Sequence, residues 1–204
     1  MEWIFIIAIL IFSVVLHEVS HGTAANYLGD PTAKNEGRLT LNPLYHLDLF
    51  GSIIVPLFLI LTRAGIVFGW AKPVPINPYN FRDQKYGEAK VAIAGPLANL
   101  SLALVFGLIL RFLPVIFVHP SLIFLFSYIV YINIILSVFN LLPVPPLDGS
   151  HILFAFLPKN LENFKIFLQR FGVFILLFII FFFFNFVSSI AGSIFQFIVG
   201  VPLF

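Results

Sequence analysis

The sequence predicts an all-α, multi-pass membrane protein with five to six transmembrane helices. Three observations support this fold class: 60% of the 204 residues are hydrophobic, only 10% are charged, and the mean hydropathy is +1.06. A soluble globular domain carries about 25% charged residues, so a water-soluble enzyme and a disordered chain are both excluded. The small net charge of +2 indicates membrane topology rather than nucleic-acid binding. Cysteine is absent, which excludes disulfides and thiolate metal ligands.

Four apolar segments are the main candidates for membrane helices, since one crossing needs about 20 residues. They cover residues 1–25, 89–118, 121–142 and 164–204. The last segment is long and is interrupted by polar residues such as Asn185 and Ser188, so either one long tilted helix or two short helices are expected. The shorter apolar run at 49–61 adds a further candidate. No small-residue cleavage site follows the first segment, which is therefore expected to be a retained helix and not a signal peptide.

Residues 66–80 are expected to form a short extended or β-hairpin segment that re-enters the membrane. Pro73, Pro75 and Pro78 lie within six residues here, and proline does not fit the interior of a helix. A single domain over residues 1–204 is expected. Its core would cover 1–157, followed by a C-terminal helical segment at 164–204.

A metal-site pattern lies near the end of the first apolar segment. His17-Glu18-Val19-Ser20-His21 matches H-E-x-x-H. On a helix, positions i and i+4 share one face, so the two imidazoles can bind one zinc ion while Glu18 accepts a proton beside them. A packing role is the alternative for a lone buried histidine. Three ionisable groups in five residues favour function, because charge at membrane depth is costly.

A catalytic zinc site usually has a third protein ligand, and spacing alone does not choose it. Asp148 is the best candidate on local grounds, because it follows an apolar span in the stretch Asn140-Leu-Leu-Pro-Val-Pro-Pro-Leu-Asp-Gly149. The prolines hold this chain extended and Gly149 allows a tight turn. A solvated interfacial loop is the alternative. The remaining histidines and acidic residues considered are His46, His119, His151, Asp30, Asp48, Asp83 and Glu88.

His46 and Asp48 are the second choice as metal ligands. They lie close together in a polar section before the run at 49–61. Both are equally explained as interfacial groups at a helix start, where Asp48 would be near the positive end of the helix.

Three motifs in this order resemble the site-2 protease family of intramembrane zinc metalloproteases. They are H-E-x-x-H at 17–21, G-P-x-x-N at 95–99 and N-x-x-P-x-x-P-L-D-G at 140–149. The combination is more specific than any single motif, and it covers residues 1–157. Residues 68–77 also resemble a branch of small bacterial and archaeal members. The resemblance is to a minimal form without a PDZ or CBS domain.

The resemblance implies a zinc-dependent endopeptidase that cuts within or near transmembrane helices of membrane-protein substrates. One zinc ion per chain would be bound by His17, His21 and Asp148, with Glu18 as the general base. Asn140 would lie close enough to the metal to assist the reacting carbonyl. The alternatives are an inactive zinc-binding membrane scaffold, which predicts helix binding without turnover, and a metal or ion transporter. Transporters often carry paired repeats, and none is visible here.

The resemblance also places Gly95, Pro96 and Asn99 in a central core helix. For Asn99, a helix–helix hydrogen bond is favoured over direct catalysis. The expected partners are a transmembrane protein substrate and the lipid bilayer. Nucleic acid is not expected, and an unidentified regulatory subunit is a further option.

The distribution of basic residues predicts the orientation. If the first helix ends on the cytoplasmic side, the polar section at 72–90 lies near the cytoplasm, as the positive-inside rule favours. The metal centre would then open toward the cytoplasm of a prokaryotic cell membrane. The section between residues 48 and 72 would have to start and finish on the same side.

Overall fold

The computed structural model describes residues 2–62, 69–112 and 119–201. This described part consists of helices, turns and loops, and it contains no strand. In chain order, helices α1 to α7 are Glu2–Leu28, Thr32–Asn35, Val55–Leu61, Gly87–Phe112, Pro120–Asn140, Asp148–Phe156 and Glu162–Val199. Short 3₁₀ turns lie at Pro43–His46, Pro78–Asn80 and Lys159–Leu161, and a π-helical turn at Leu49–Ile54 leads into α3.

The long helices α1, α4, α5 and α7 are apolar enough to cross a membrane, and the chain is an integral membrane protein. Helix α4 packs against α1, α5 and α7 and is therefore the central helix of the bundle. Small residues allow close contact: Ala103 of α4 and Ala191 of α7 are fully buried, and Gly107 lies against Ile198. Close packing matters here because lipid is as apolar as the side chains, so burial alone does not hold membrane helices together.

The prediction of five to six transmembrane helices is wrong, because the described residues contain four candidates. The segment at 49–61 forms only a π-helical turn and the seven-residue helix α3, which together are too short to cross. The segment at 164–204 adds one helix and not two, because α7 continues unbroken for 38 residues.

Two serines within α7 have hydrogen-bond partners within or between helices. The hydroxyl of Ser188 lies 2.7 Å from the hydroxyl of Tyr131 in α5. Ser193 donates its hydroxyl to the carbonyl of Ser189, one turn earlier, at 3.0 Å. Serine hydroxyls commonly return to a helical carbonyl in this way. The interruptions seen in the sequence are therefore compatible with one helix.

The predicted β-hairpin near 66–80 is also wrong for the residues that the structure describes; residues 66–68 lie outside them. Residues 69–77 form an irregular segment, which we call the strap. Proline lacks the N–H that strand pairing needs, so isolated hydrogen bonds hold the strap instead of the continuous hydrogen-bond ladder of a β-sheet. The N–H of Trp70 donates to the carbonyl of Gly51 at 3.1 Å, and the N–H of Lys72 donates to that of His46 at 2.8 Å. These hydrogen bonds join the two ends of the section from residue 51 to residue 70, so both ends lie at the same end of the bundle.

Candidate metal centre

Three side chains with metal-ligand chemistry converge where α1, α4 and α6 meet. The Nε2 atoms of His17 and His21 lie 3.0 and 3.3 Å from Oδ2 of Asp148, and they are 2.9 Å from each other. Both histidine side chains are buried, and that of Asp148 is 18% exposed. Within the described part of the chain, these residues form the only such group of three or more. The structure therefore brings together the three residues that the motifs singled out.

The other ring nitrogen of each histidine is engaged away from this centre. Nδ1 of His21 lies 2.8 Å from the carbonyl oxygen of Val91. Because a carbonyl only accepts, Nδ1 carries the proton and the lone pair of Nε2 faces the centre. Nδ1 of His17 lies 2.6 Å from the amide oxygen of Asn99, which gives His17 the same tautomer.

This donor set fits a cation. Two nitrogen lone pairs and a carboxylate oxygen face one another, and buried Oδ2 of Asp148 has no hydrogen-bond donor among the described residues. Electron-pair donors held this close are unfavourable unless a positive charge lies among them. Histidine nitrogen and carboxylate oxygen are ordinary ligands of Zn²⁺, and three protein ligands are typical of a catalytic zinc site.

Gly95 allows the backbone of α4 to pass directly against the two imidazoles. A Cβ at this position would lie 2.5 Å from Nε2 of His21 and 2.6 Å from Nε2 of His17. Pro96 follows and leaves the carbonyl of Ala92 without its usual helical donor. From the sequence, this Gly-Pro pair is expected only in a core helix. The structure shows that its glycine lines the centre.

The start of α6 is brought to the centre by a second close approach. A Cβ on Gly149 would collide with the carbonyl oxygens of Leu141 and Leu142, at the end of α5. Gly149 lies within α6 and is not among the glycines with positive φ. Its role is therefore close packing, and the expected tight turn does not occur at this residue. From the other side, Gly172 of α7 packs against the carbonyl of Pro145 in the proline-rich loop.

Glu18 lies between the two histidines in sequence and contacts the strap. Its Oε2 accepts a hydrogen bond of 2.9 Å from the backbone N–H of Val74. The guanidinium of Arg38 holds the strap at the two preceding residues, because its Nη2 donates to the carbonyls of Lys72 and Pro73 at 3.2 Å each. A segment far away in sequence is thus fixed against the carboxylate of Glu18.

Buried Asp30 holds the far end of the strap. Its carboxylate accepts hydrogen bonds from the N–H of Asn77 at 2.7 Å, from Nδ2 of Asn80 at 2.8 Å, and from the N–H and hydroxyl of Thr32. Burial by itself would raise the pKa of Asp30, but these hydrogen bonds outweigh burial and lower it below the usual value of 3.8. From the sequence, Asp30 is expected only as a possible metal ligand. Its position just after a helix end, before Pro31 and Thr32, is the local signal for a carboxylate that accepts hydrogen bonds from nearby backbone N–H groups.

The remaining candidates lie outside this group of ligand atoms. Asn140 donates its amide to the carbonyl of Leu136 in its own helix at 3.0 Å, so its role near the metal stays a prediction. Asp48 caps the π-helical turn by accepting from the N–H of Gly51 at 2.6 Å. Nε2 of His46 donates to the carbonyl of Thr40 at 2.8 Å. The helix-start interpretation therefore accounts for Asp48.

The fold and the centre define a class, namely a multi-pass membrane protein with a buried His-His-Asp metal centre and an adjacent glutamate. Comparison with known proteins supplies the family. A family model described as "Peptidase family M50" matches residues 115–179. The chain is 37% identical over 183 residues to "Putative zinc metalloprotease YwhC" of Bacillus subtilis, which covers 86% of this chain and 80% of that protein.

Two further relatives come from another bacterium and an archaeon. "Putative zinc metalloprotease Rip2" of Mycolicibacterium smegmatis is 34% identical over 149 residues, covering 72% of this chain and 55% of that protein. "Putative zinc metalloprotease MJ0611" of Methanocaldococcus jannaschii is 33% identical over 144 residues, covering 68% and 63%. The chain thus spans less than two thirds of these two relatives. No solved structure matches the chain.

The chain belongs to peptidase family M50, the site-2 protease family, and it is a zinc metallopeptidase. The resemblance to the site-2 protease family, which the three motifs indicated, is confirmed at the level of the family. Zinc, predicted as the cofactor, is likewise supported by the relatives and by the donor set of the centre.

Proposed function

We propose that this protein is an intramembrane endopeptidase that hydrolyses peptide bonds within or near transmembrane helices of membrane-protein substrates. The observation that carries the proposal is the buried group of His17, His21 and Asp148 among helices that can cross a membrane. Residues 1–204 would act as one protease domain with its core at 1–157. No observation in the described residues favours the scaffold or the transporter.

Each polar residue of the centre has a proposed role. His17 and His21 would hold zinc through Nε2, and Asp148 would hold it through its carboxylate. Bound zinc supplies Lewis acidity and lowers the pKa of a coordinated water toward about 7. Glu18 would take a proton from the attacking water and pass it to the leaving amine. Asn140 is proposed to assist the reacting carbonyl.

The contact with Val74 prepares Glu18 for this role. The N–H of Val74 occupies Oε2 of Glu18, so the other carboxylate oxygen remains for proton transfer. A carboxylate held by a backbone donor keeps one orientation, and general-base efficiency depends on such positioning.

A substrate helix must unwind before cleavage because its carbonyls are engaged in helical hydrogen bonds. The strap is the proposed docking segment, since an unwound substrate needs partners for its backbone hydrogen-bonding groups and free carbonyls of the strap can supply them. The carbonyls of Val74 and Ile76 accept no hydrogen bond from the residues that the structure describes. Val74 is buried and Ile76 is partly exposed, so the carbonyl of Ile76 is the more suitable acceptor for the backbone of an unwound substrate.

The proposed orientation places the centre toward the cytoplasm of a prokaryotic cell membrane. Arg111 lies at the opposite end of the bundle, where its guanidinium donates to the carbonyl of Phe197 at 2.9 Å. The other basic residues of the described ranges lie on segments at the end of the bundle that holds the centre. They are Lys34, Arg38, Lys72, Arg82, Lys85, Lys90, Lys159, Lys165 and Arg170. This asymmetry follows the positive-inside rule.

The proposal is tested with a tagged single-span reporter whose transmembrane segment contains glycine and proline. The reporter and the purified protein are placed together in proteoliposomes, and cleavage and zinc per chain are measured. We expect Glu18→Gln to keep zinc and to lose cleavage, whereas Glu36→Gln, which changes an exposed glutamate, behaves as wild type. Cleavage by Glu18→Gln at the wild-type rate would contradict the proposal. Reporter binding without turnover by the wild type would favour the scaffold.

A further inference from the structure

We infer that Asn133, which forms no hydrogen bond with the metal ligands in the described part of the chain, is a positioning residue that helps to set the zinc-binding tautomer of His17 through Asn99. The inference rests on the proposed zinc site. Asn133 of α5 and Asn99 of α4 are both fully buried, and Ser13 of α1 is 1% exposed. Together they form a continuous line of hydrogen bonds across three helices that ends at His17.

The orientation of the Asn133 amide is determined by its neighbours. Its Nδ2 lies 2.8 Å from the carbonyl oxygen of Ile129 and 2.9 Å from the hydroxyl of Ser13. Because a carbonyl only accepts, the NH₂ group of Asn133 must face this side. The amide oxygen of Asn133 is consequently turned toward Asn99.

Asn99 passes this polarity on to the histidine. Its Nδ2 donates to the amide oxygen of Asn133 at 2.8 Å and to the carbonyl of Ser13 at 3.1 Å. Both amide hydrogens of Asn99 are thereby used on acceptors, and its oxygen faces Nδ1 of His17 at 2.6 Å. His17 must place its proton on Nδ1 to make this bond, which leaves the lone pair of Nε2 for the metal.

The two histidines differ in how their tautomers are set. His21 faces the backbone carbonyl of Val91, whose polarity cannot reverse. The acceptor for His17 is an amide, and an amide that loses one partner can rotate by half a turn. Removing the acceptor at Asn133 would leave the NH₂ group of Asn99 with one acceptor, the carbonyl of Ser13, and would weaken the constraint that keeps this group turned away from His17. A rotated Asn99 would favour the tautomer of His17 that cannot bind zinc through Nε2.

A neutral amide line also suits its location. Metal-bound histidines usually donate their second N–H to a carboxylate, a carbonyl or water, and loss of that partner costs about 10–100-fold in metal affinity. A carboxylate in this position would place a further charge inside the bundle, where charges are costly. Two asparagines supply the acceptor without a charge.

The test measures zinc affinity of the full chain in detergent, by competition with a chromophoric chelator. Asn133→Asp is the rescue variant, because a buried aspartic acid in its neutral, protonated form keeps an acceptor facing Asn99 and an O–H facing the carbonyl of Ile129. Asn133→Leu is compared with it and with Asn185→Leu, which changes an exposed asparagine in α7. We expect about 10–100-fold weaker zinc binding for Asn133→Leu. We expect Asn133→Asp to recover most of the affinity and Asn185→Leu to match the wild type.

The Co²⁺-substituted protein provides the second readout. Its visible absorption reports the ligand field, so Asn133→Leu should alter the bands while the melting temperature of the metal-free protein stays close to that of the wild type. If Asn133→Leu binds zinc as tightly as the wild type, this inference is overturned but the proposed function is not. Equal weakening by Asn133→Leu and Asn133→Asp also overturns it, because packing would then be the cause. Absence of zinc binding in the folded wild type overturns both the proposed function and this inference.

Discussion

The backbone N–H of Val74 donates a hydrogen bond of 2.9 Å to Oε2 of Glu18, although 56 residues separate them. The glutamate of the H-E-x-x-H motif is therefore oriented by the strap as well as by its own helix. Arg38 is buried and holds the two carbonyls that precede Val74. The strap is thus part of the geometry of the metal centre.

Replacing Arg38 is expected to impair cleavage while zinc is retained. In Arg38→Gln the strap loses a charged donor to two carbonyls, and hydrogen bonds to charged groups contribute about 1.5–3 kcal/mol each. If the loss of these bonds displaces Glu18 and raises the activation free energy of cleavage by about 1.4 kcal/mol, kcat falls about tenfold. Reporter cleavage and zinc content are measured together. Arg82→Gln, an exposed arginine, is the control, and equal kcat in wild type and Arg38→Gln would contradict the role of the strap.

Gly95→Ala is expected to weaken zinc binding strongly. The added methyl group would lie 2.5–2.6 Å from atoms of both imidazoles, so the histidines or α4 must move. Gly192→Ala in α7 is the matched control, because a Cβ there meets nothing within 4 Å. Alanine in an open helical position is instead stabilising by up to about 1 kcal/mol. Similar zinc affinities in the two variants would show that α4 does not approach the imidazoles this closely.

Asp30 is expected to make stability depend on acid pH. Folding lowers the pKa of Asp30 below 3.8, so its contribution to the free energy of unfolding is fully present above about pH 3.8. This contribution is lost as the pH falls through the lower pKa of the folded state. Asp30→Asn places an NH₂ group among hydrogen-bond donors, which lowers the free energy of unfolding by about 1–3 kcal/mol at neutral pH. Melting temperatures between pH 2.5 and 7 should therefore fall less with acid in Asp30→Asn than in the wild type. Parallel curves would contradict this role, and Glu36→Gln, which changes an exposed glutamate, serves as the control.

Part of the metal centre was predictable because its determinants are local. The spacing of His17, Glu18 and His21 places three groups on adjoining positions of one helix, and helix geometry depends on neighbouring residues alone. The proline-rich context singled out Asp148 in the same way. Gly95 was placed in a core helix, but its contact with the imidazoles depends on how α4 packs against α1, and a glycine indicates close approach without naming the partner.

The number of membrane helices was mispredicted for a different reason. Apolarity shows that a segment can enter a bilayer but not that it crosses, and the apolar run at 49–61 forms only a π-helical turn and the seven-residue helix α3. For the last segment, the choice between one helix and two depends on contacts of its polar groups. Ser188 of α7 meets Tyr131 of α5, a contact between segments that the sequence does not pair. The register of the strap was equally hidden, since Asn77 is fixed by Asp30 and Val74 by Glu18 across long separations.

The central claim is that His17, His21 and Asp148 form one zinc site, and zinc per chain tests it most directly. The protein is purified in detergent as wild type, as Asp148→Asn and as Asp83→Asn, the last changing a half-buried aspartate that pairs with Lys90 outside the centre. We predict one zinc ion per chain in the wild type and in Asp83→Asn, and sharply weakened binding in Asp148→Asn. Full zinc content in Asp148→Asn, or none in a folded wild type, would contradict the site.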